Sequence, residues 1–385
     1  MPYYRPLKKL PRSDRNRTID GLQRIRKQFD RDNFPRKKTS TSLILGTWNL
    51  RNFDDDRFNY GPRTTESLYY IAEIIARFDI IAIQEVCVDL WPLKKLMRLL
   101  GGSYDYIVTD VTHSSVGGNG ERLGFIYDKN KVRFTGVTGE IVLPDKLLIS
   151  EVETKKRQFS RTPFGAGFQS GWFKFHFSTV HIFFGSNSGN TPQYKRRVAE
   201  INAVAKYLAK EAKNSDANHI LVGDFNIKER GSDGFNALEA NGFKTVKNRL
   251  GSNRDQTKFY DQISFRSKKN QLEFLEPNRE DRVIQFFDSV FREEDYAMYK
   301  PVMKKMVGKK IKEATEALEI ATSKTKKKKY QGQINSLNEA ISSDYTLKKY
   351  YMEWRTFQAS DHLPLWVEIK IDFSEQYLEY LKTVK

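Results

Sequence analysis

Residues 359–365 read Ala359-Ser-Asp-His-Leu-Pro-Leu365, and the triplet Ser360-Asp361-His362 opens onto an apolar stretch, residues 365–371, with the pattern of a strand. Successive residues of a strand point to opposite faces, but at a strand's mouth a carboxylate and an imidazole can both reach one cleft. The carboxylate there can hold a metal or orient the ring, and the imidazole can take a proton from water near neutral pH. Alone the triplet is a weak signal. It decides the fold because three other segments end in the same way.

The stretch Ile220-Leu-Val-Gly-Asp224-Phe-Asn226 is an apolar strand that runs through Gly223 into two oxygen-bearing side chains two residues apart. That spacing sets Asp224 and Asn226 on one side of the strand end, and Gly223 allows close backbone approach. Ile80-Ile-Ala-Ile-Gln84-Glu85-Val86 ends in a carboxylate, and Leu43-Ile-Leu-Gly-Thr-Trp48-Asn49-Leu-Arg51 ends in an amide and a guanidinium. Any one of these is an ordinary strand end. Four together, with His181 and His362, make a site. Oxygen ligands of this kind suit Mg²⁺, which binds through one or two carboxylates and keeps waters for a substrate phosphate. Mn²⁺ and Ca²⁺ are the alternatives.

In this order the motifs resemble the endonuclease/exonuclease/phosphatase family, whose fold is that of pancreatic deoxyribonuclease I. The likeness covers residues 43–290 and 357–372. It runs through Trp48-Asn49-Leu-Arg51, Gln84-Glu85-Val86, Gly118-Asn-Gly-Glu121-Arg122, Ser160-Arg161-Thr-Pro163-Phe164, Thr179-Val-His181, Gly223-Asp224-Phe-Asn226, Tyr260-Asp261-Gln-Ile263 and Ser360-Asp361-His362. The resemblance implies an α/β (α+β) four-layer sandwich, two packed β-sheets flanked by helices. It implies that Asn49, Glu85 and Asp361 hold or approach the metal, and that Asp224 and Asn226 grip the scissile phosphate or place the attacking water. His362 would be the general base, oriented by Asp261. His181 would serve the leaving-group side, oriented by Glu121. Arg161 would bind phosphate oxygens, and Arg51 the nucleic-acid backbone.

The chemistry asks for the same residue types. A phosphodiester is anionic, so attack needs a metal and arginine to neutralise charge. Water needs a base of near-neutral pKa, and an adjacent carboxylate fixes the imidazole tautomer. The Tyr-Asp-Gln-Ile form is nearest to deoxyribonuclease I itself. The Arg-x-Asp-Tyr signature of abasic-site enzymes and the Trp-Cys-Asp-Arg segment of inositol phosphatases are absent, and Cys87-Val88-Asp89 replaces the arginine that deoxyribonuclease I carries after its second motif. The expectation is a Mg²⁺-dependent DNA endonuclease. A phosphoinositide or lipid phosphatase or phosphodiesterase, and an RNase, are the alternatives, and a degenerate nucleic-acid-binding member is disfavoured by the intact acidic set.

The net charge of +18 over 385 residues favours a polyanionic partner, DNA first. The excess is uneven. Residues 1–42 hold 13 Lys/Arg against 4 Asp/Glu, and residues 292–356 hold 15 against 9. The body that carries the motifs, residues 43–291 and 357–385, is therefore nearly balanced. Residues 1–42 read as a basic extension in which Ile19, Leu22, Ile25 and Phe29 share one helical face, a short amphipathic helix docked on the body. Arginine dominates this extension and is the better phosphate fork. Residues 292–356 read as a basic helical insertion. Ile311, Ala314, Leu318 and Ala321, then Ile334, Leu337 and Ile341, mark a hairpin with lysines 324–329 at its tip. It enters beside Asp361 and so stands over the cleft, as a nucleic-acid clamp, a lid or a docking arm for a regulatory protein.

One cysteine, Cys87, excludes an intramolecular disulfide and favours a reducing compartment, the cytoplasm. It reads as a buried inert thiol. No apolar run has the length of a signal peptide or a membrane span. Of five histidines, His176 reads as structural, and His219 and His113 as surface residues.

Overall fold

Apolar side chains alternate along the central strands, and the alternation builds the layers. The computed structural model describes residues 2–53, 55–111, 120–149, 158–186, 188–189 and 191–383. His113 and residues 118–119 of the third motif lie outside these. One sheet holds β1 (Ser42–Phe53), β2 (Ile80–Cys87), β3 (Tyr104–Val108), β4 (Glu121–Asp128) and β11 (Leu365–Lys370), in the order β11-β1-β2-β4-β3. The second holds β5 (Arg133–Glu140), β6 (Phe164–Ser170), β7 (Phe173–His181), β8 (Asn218–Asp224), β9 (Lys244–Thr245) and β10 (Asp261–Arg266), in the order β5-β6-β7-β8-β10-β9. Leu43 and Leu45 of β1, Ile80 and Ala82 of β2, and Ile220 and Val222 of β8 meet between the sheets. Their neighbours Ile44, Ile81 and Ile83 face one helical layer, and Leu221 faces the other. The two-residue period thus gives each strand two buried faces, and the result is the four-layer sandwich expected.

The outer layers are α1 (Arg12–Arg31), α2 (Thr65–Ile75) and α3 (Trp91–Leu100) on the first sheet, and α4 (Pro192–Glu211) and α5 (Asp233–Ala240) on the second. Thr64 and Thr191 cap α2 and α4 through their side chains, with Pro192 in the first turn of α4.

The basic extension docks as expected, on Leu22, Ile25 and Phe29, but α1 is 20 residues long. Several of its arginines are engaged with the body. Arg17 lies 2.7 Å from Glu66 and Arg26 2.9 Å from Glu73, and Arg24 donates to the Ser289 carbonyl at 2.6 Å. Lys37, C-terminal to α1, bonds Asp128 at 2.6 Å and lies 3.3 Å from the buried Asp79. These forks hold protein carboxylates, so they are poor candidates for the phosphate contacts their composition suggested.

The second basic segment forms three helices. The hairpin is α6 (Tyr296–Ile320) and α7 (Lys324–Ile341), and α8 (Asp344–Gln358) then returns the chain to the sheet just before β11. Tyr299, Met303, Val307, Leu347, Tyr351 and Trp354 share one apolar core with α1, α2 and β1. The helices therefore complete the core of the first helical layer. C-terminal to β11, α9 (Ser374–Leu381) packs no buried residue.

His219, which reads as a surface residue, is 4% exposed. It lies in register with His176 of β7, with ring centroids 4.9 Å apart, and neither of its ring nitrogens has a hydrogen-bond partner among the described residues. Burial, and then the charges of His176, Lys268 and Arg266, push its pKa down from 6.5 to about 4. The unfolded chain takes this proton more readily. The stability from a neutral His219 is thus full above about pH 6.5 and is lost as pH falls toward 4. The shift corresponds to roughly 3 kcal/mol. In urea titrations His219→Leu should flatten the decline in unfolding free energy across that window, and an unchanged decline would refute the assignment.

Candidate active site

The described site residues gather at one end of the sandwich, and strand direction explains why. β1 and β2 run parallel with Asn49 opposite Gln84, and β7 and β8 run parallel with His181 opposite Asp224. The antiparallel partners begin where these end: Glu121 pairs with Cys87, and Asp261 pairs with Asp224. Ser360-Asp361-His362 immediately precedes β11, whose Leu365 pairs with Thr47. Strand ends from both sheets therefore converge.

Asn49 joins them. Its side-chain nitrogen donates to Glu85 at 2.8 Å on its own sheet and to Asp224 at 3.1 Å on the other. A second link lies one residue earlier on β2, where Gln84 donates to Thr179 of β7 at 2.8 Å. Asp224 is the centre of the constellation. One of its oxygens is 3.5 Å from Nε2 of His181 and 3.7 Å from Nε2 of His362. The backbone NH of Asn226 donates to its other oxygen at 2.9 Å, and the Asn226 side chain donates to the Ile182 carbonyl at 2.8 Å.

Each histidine has a carboxylate behind it. Nδ1 of His362 lies 2.8 Å from Asp261, whose backbone NH donates to the Ser252 hydroxyl at 2.9 Å. Nδ1 of His181 lies 3.2 Å from Glu121, without hydrogen-bond alignment, and Arg161 also ion-pairs with Glu121. The two environments push the rings apart. Burial, and then the Arg161 charge, lower His181 to about 4, so it is neutral. Burial opposes charge on His362 too, but Asp261 and Asp224 outweigh it and raise its pKa well above the ordinary value. In the metal-free site one ring is therefore neutral and the other protonated.

The backbone is bent to bring these groups in. Arg51, Asn52, Glu85 and Asn226 have φ of 41°, 45°, 59° and 54°, left-handed values rare outside glycine, and register shifts interrupt β1 and β2 beside them. Gly223 has φ 127°, and a Cβ there would stand 2.1 Å from the Val180 carbonyl, so β8 can approach β7 only with glycine. Ser360 ties the last motif in, donating to the Asn49 carbonyl at 2.6 Å and accepting from the His362 NH at 3.0 Å.

The sequence-expected residues come together, with two qualifications. Asp361 is turned toward Arg51, 3.5 Å from its Nε. Among the described residues, the acids and histidines grouped closely enough to share a cation are Glu85, Glu121 and His181. Arg161 and Arg51 are both ion-paired, Arg51 also lying 3.7 Å from Glu353 of α8. Sequence reading missed Ser252 and Glu353, single polar residues with no spacing signal, and it gave no role to two residues inside its motifs, Thr179 and Tyr260, the ring of Tyr260 lying 5.6 Å from that of His362. The donors fit a divalent cation: Glu85 is held below the ordinary carboxylate range, since His181 and the Asn49 bond outweigh its burial, and a Glu121 carboxylate oxygen and a His181 ring nitrogen lie close enough to share an ion with it. Cys87 is buried, and burial pushes its thiol up to about 12, in keeping with an inert role.

Fold and site together define a phosphoester hydrolase. The chain belongs to the Endonuclease/Exonuclease/phosphatase family, whose sequence model matches residues 46–303, and whose members hydrolyse phosphoester bonds. Among solved structures, a family protein from Bacteroides thetaiotaomicron is 18% identical, covering 87% of this chain and 99% of its own, with a TM-score of 0.49. The mannosyl-6-phosphatase of the same organism is 21% identical over 60% of this chain and 87% of its own, with a TM-score of 0.45. TDP2 of D. rerio, complexed with single strand DNA product, is 18% identical over 59% and 85%, with a TM-score of 0.40. Likeness at these identities concerns the fold alone. No curated protein matches the chain, and no described helix is long and apolar enough to cross a membrane.

If Asp261 is what holds the His362 proton, Asp261→Asn should lower the His362 pKa. Imidazole NMR titration of metal-free protein reads this directly, and an unmoved titration would refute it.

Proposed function

We propose that the protein is a Mg²⁺-dependent phosphodiesterase that nicks DNA. The observation that carries the proposal is the convergence of two carboxylate-backed histidines on Asp224, their Nε2 atoms 3.5 and 3.7 Å from the same oxygen. A diester placed there has one imidazole for the attacking water and one for the departing oxygen. Asn226, whose side-chain NH2 has a second N–H beyond the one given to the Ile182 carbonyl, would bond a phosphate oxygen. Glu85 is the group that would hold the metal; Asn49, whose oxygen now accepts from the Arg51 NH, and Asp361, now turned toward Arg51, would join it by rotating their side chains. A metal bound there would neutralise phosphate charge, and its positive charge would disfavour the protonated form of His362, so that the ring could act as a base.

His362 then takes the water proton, and Asp261 fixes its tautomer and stabilises the imidazolium that forms. His181, backed by Glu121, serves the leaving oxygen. DNA is favoured among phosphoesters by the Tyr260-Asp261-Gln262-Ile263 motif and by the net charge of +18.

The test is conversion of supercoiled plasmid to open circle with Mg²⁺, with EDTA, and with His362→Ala. The expectation is nicking that EDTA abolishes and that His362→Ala slows by roughly a hundredfold to ten-thousandfold. Intact plasmid alongside steady release of phosphate from a soluble inositol phosphate would overturn the DNA reading in favour of a phosphatase.

A further inference from the structure

The helix α8 reaches the active site. A pocket of about 290 Å³ opens beside Asp361 and His362, and its other walls include Arg51, Arg254, Asp255, Tyr260 and, from α8, Glu353 and Thr356. Its volume is that of roughly ten waters, room for one flat heterocycle and not for a duplex. In a chain of net charge +18 its charge balance is unusual. The two arginines and the protonated His362 face three carboxylates, and both arginines are engaged: Arg51 lies 3.5 Å from Asp361 and 3.7 Å from Glu353, and Arg254 bonds Asp255 at 2.9 Å. This is a poor receptor for another phosphate and a good one for a neutral group with hydrogen-bond donors.

The geometry also suits a ring. The Arg51 guanidinium lies 3.8 Å from the centroid of Phe357, the residue after Thr356, and its Nη1 donates to the Thr356 hydroxyl, so α8 fixes the plane of that cation. Phe357 is in turn stacked on Tyr60, with centroids 4.7 Å apart. Guanidinium planes and aromatic rings are the surfaces on which unpaired bases stack. The Glu353 side chain is half-exposed, and a carboxylate accepts from the exocyclic amino group of cytosine or adenine, which thymine lacks.

We infer that this pocket receives the base next to the scissile phosphate, that the target nucleotide is therefore unpaired, and that Glu353 selects bases bearing an amino group. The inference rests on the nuclease reading above and adds a substrate class to it: single-stranded or locally melted nucleic acid. A base inside a duplex cannot enter a pocket of this size without leaving the stack. Supercoiled plasmid remains a substrate, because negative supercoiling exposes unpaired stretches.

The experiment compares kcat/KM on one fluorescent oligonucleotide, single-stranded and annealed to its complement, and then on single strands with cytosine or thymine at the cleavage position. Wild-type protein should prefer the single strand by at least about tenfold. It should prefer cytosine to thymine by about tenfold, the lower range of a base-specific contact. Glu353→Gln should collapse the cytosine-to-thymine ratio toward one while retaining the single-strand preference. Loss of packing alone would lower both rates and leave the ratio in place. Equal cleavage of duplex and single strand overturns the pocket assignment, and an unaltered base ratio in Glu353→Gln overturns the role of Glu353. Bis(p-nitrophenyl) phosphate, a diester with no base, separates the two levels. If wild type hydrolyses it but shows neither preference, the pocket alone is refuted. If wild type fails on it as well, the hydrolase reading falls and the pocket with it.

Discussion

The side chain of Asn49 is the joint on which the site depends. Fully buried, it donates one hydrogen bond to Glu85 in the first sheet and one to Asp224 in the second. Two sheets pressed together by apolar side chains are free to slide by small amounts, since hydrophobic contact is not directional. Hydrogen bonds to carboxylates are directional and, in a dry interior, costly to leave unmade. The Asn49 pair, reinforced by Gln84 and Thr179, fixes the relative position of the strand ends at the one level where sub-ångström placement of Asp224 between two histidines matters. The left-handed residues around the site add strain of order 1–3 kcal/mol each, which the buried strands behind them sustain.

The helices α6, α7 and α8 act on the same site. The layer formed by α6, α7 and α8 shares its core with α1 and α2, so it is structural first. Its anchorage is also local to the cleft. Lys310 pairs with Asp56, Gln333 donates to Asn59 at 2.8 Å, and Tyr350 donates to the Asn59 carbonyl at 3.0 Å. These contacts pin the segment that follows Arg51 while α8 holds Arg51 itself. The lysines at the start of α7 extend outward from this anchorage and are exposed, so much of the positive charge of the insertion stands off the catalytic floor, and the floor itself is charge-balanced. That division separates attraction of a polyanion at long range from discrimination at short range.

Much of this was legible in the sequence because it rests on periodicity and on chemistry at strand ends. Apolar runs such as residues 80–83 and 220–222 announce buried strands, and an acid or amide directly after each run marks the end where a cleft lies. Gly223 before Asp224 signalled the close approach that its backbone angle now explains. What escaped depends on contacts between residues remote in sequence. The N-terminal arginines could not be assigned to Glu66 and Glu73 without knowing that α1 crosses α2. His219 looked exposed because a strand start says nothing of the neighbouring strand. The return helix α8 has no separate signal within the insertion because lysines and tyrosines obscure its apolar stripe, and Glu353 has no motif at all.

The central claim is that the strand ends joined by Asn49 form a divalent-cation site at Glu85. Titration of Mn²⁺ into metal-free protein, followed by the loss of its free electron-spin resonance signal, tests this most directly. The account predicts saturable binding by wild type and weakening of at least about tenfold in Glu85→Gln, the loss typical even of outer partners of a metal site. Asp372→Asn, beyond the far end of β11, should bind as wild type does. Absence of binding by folded wild-type protein, or equal affinity in Glu85→Gln, would contradict it.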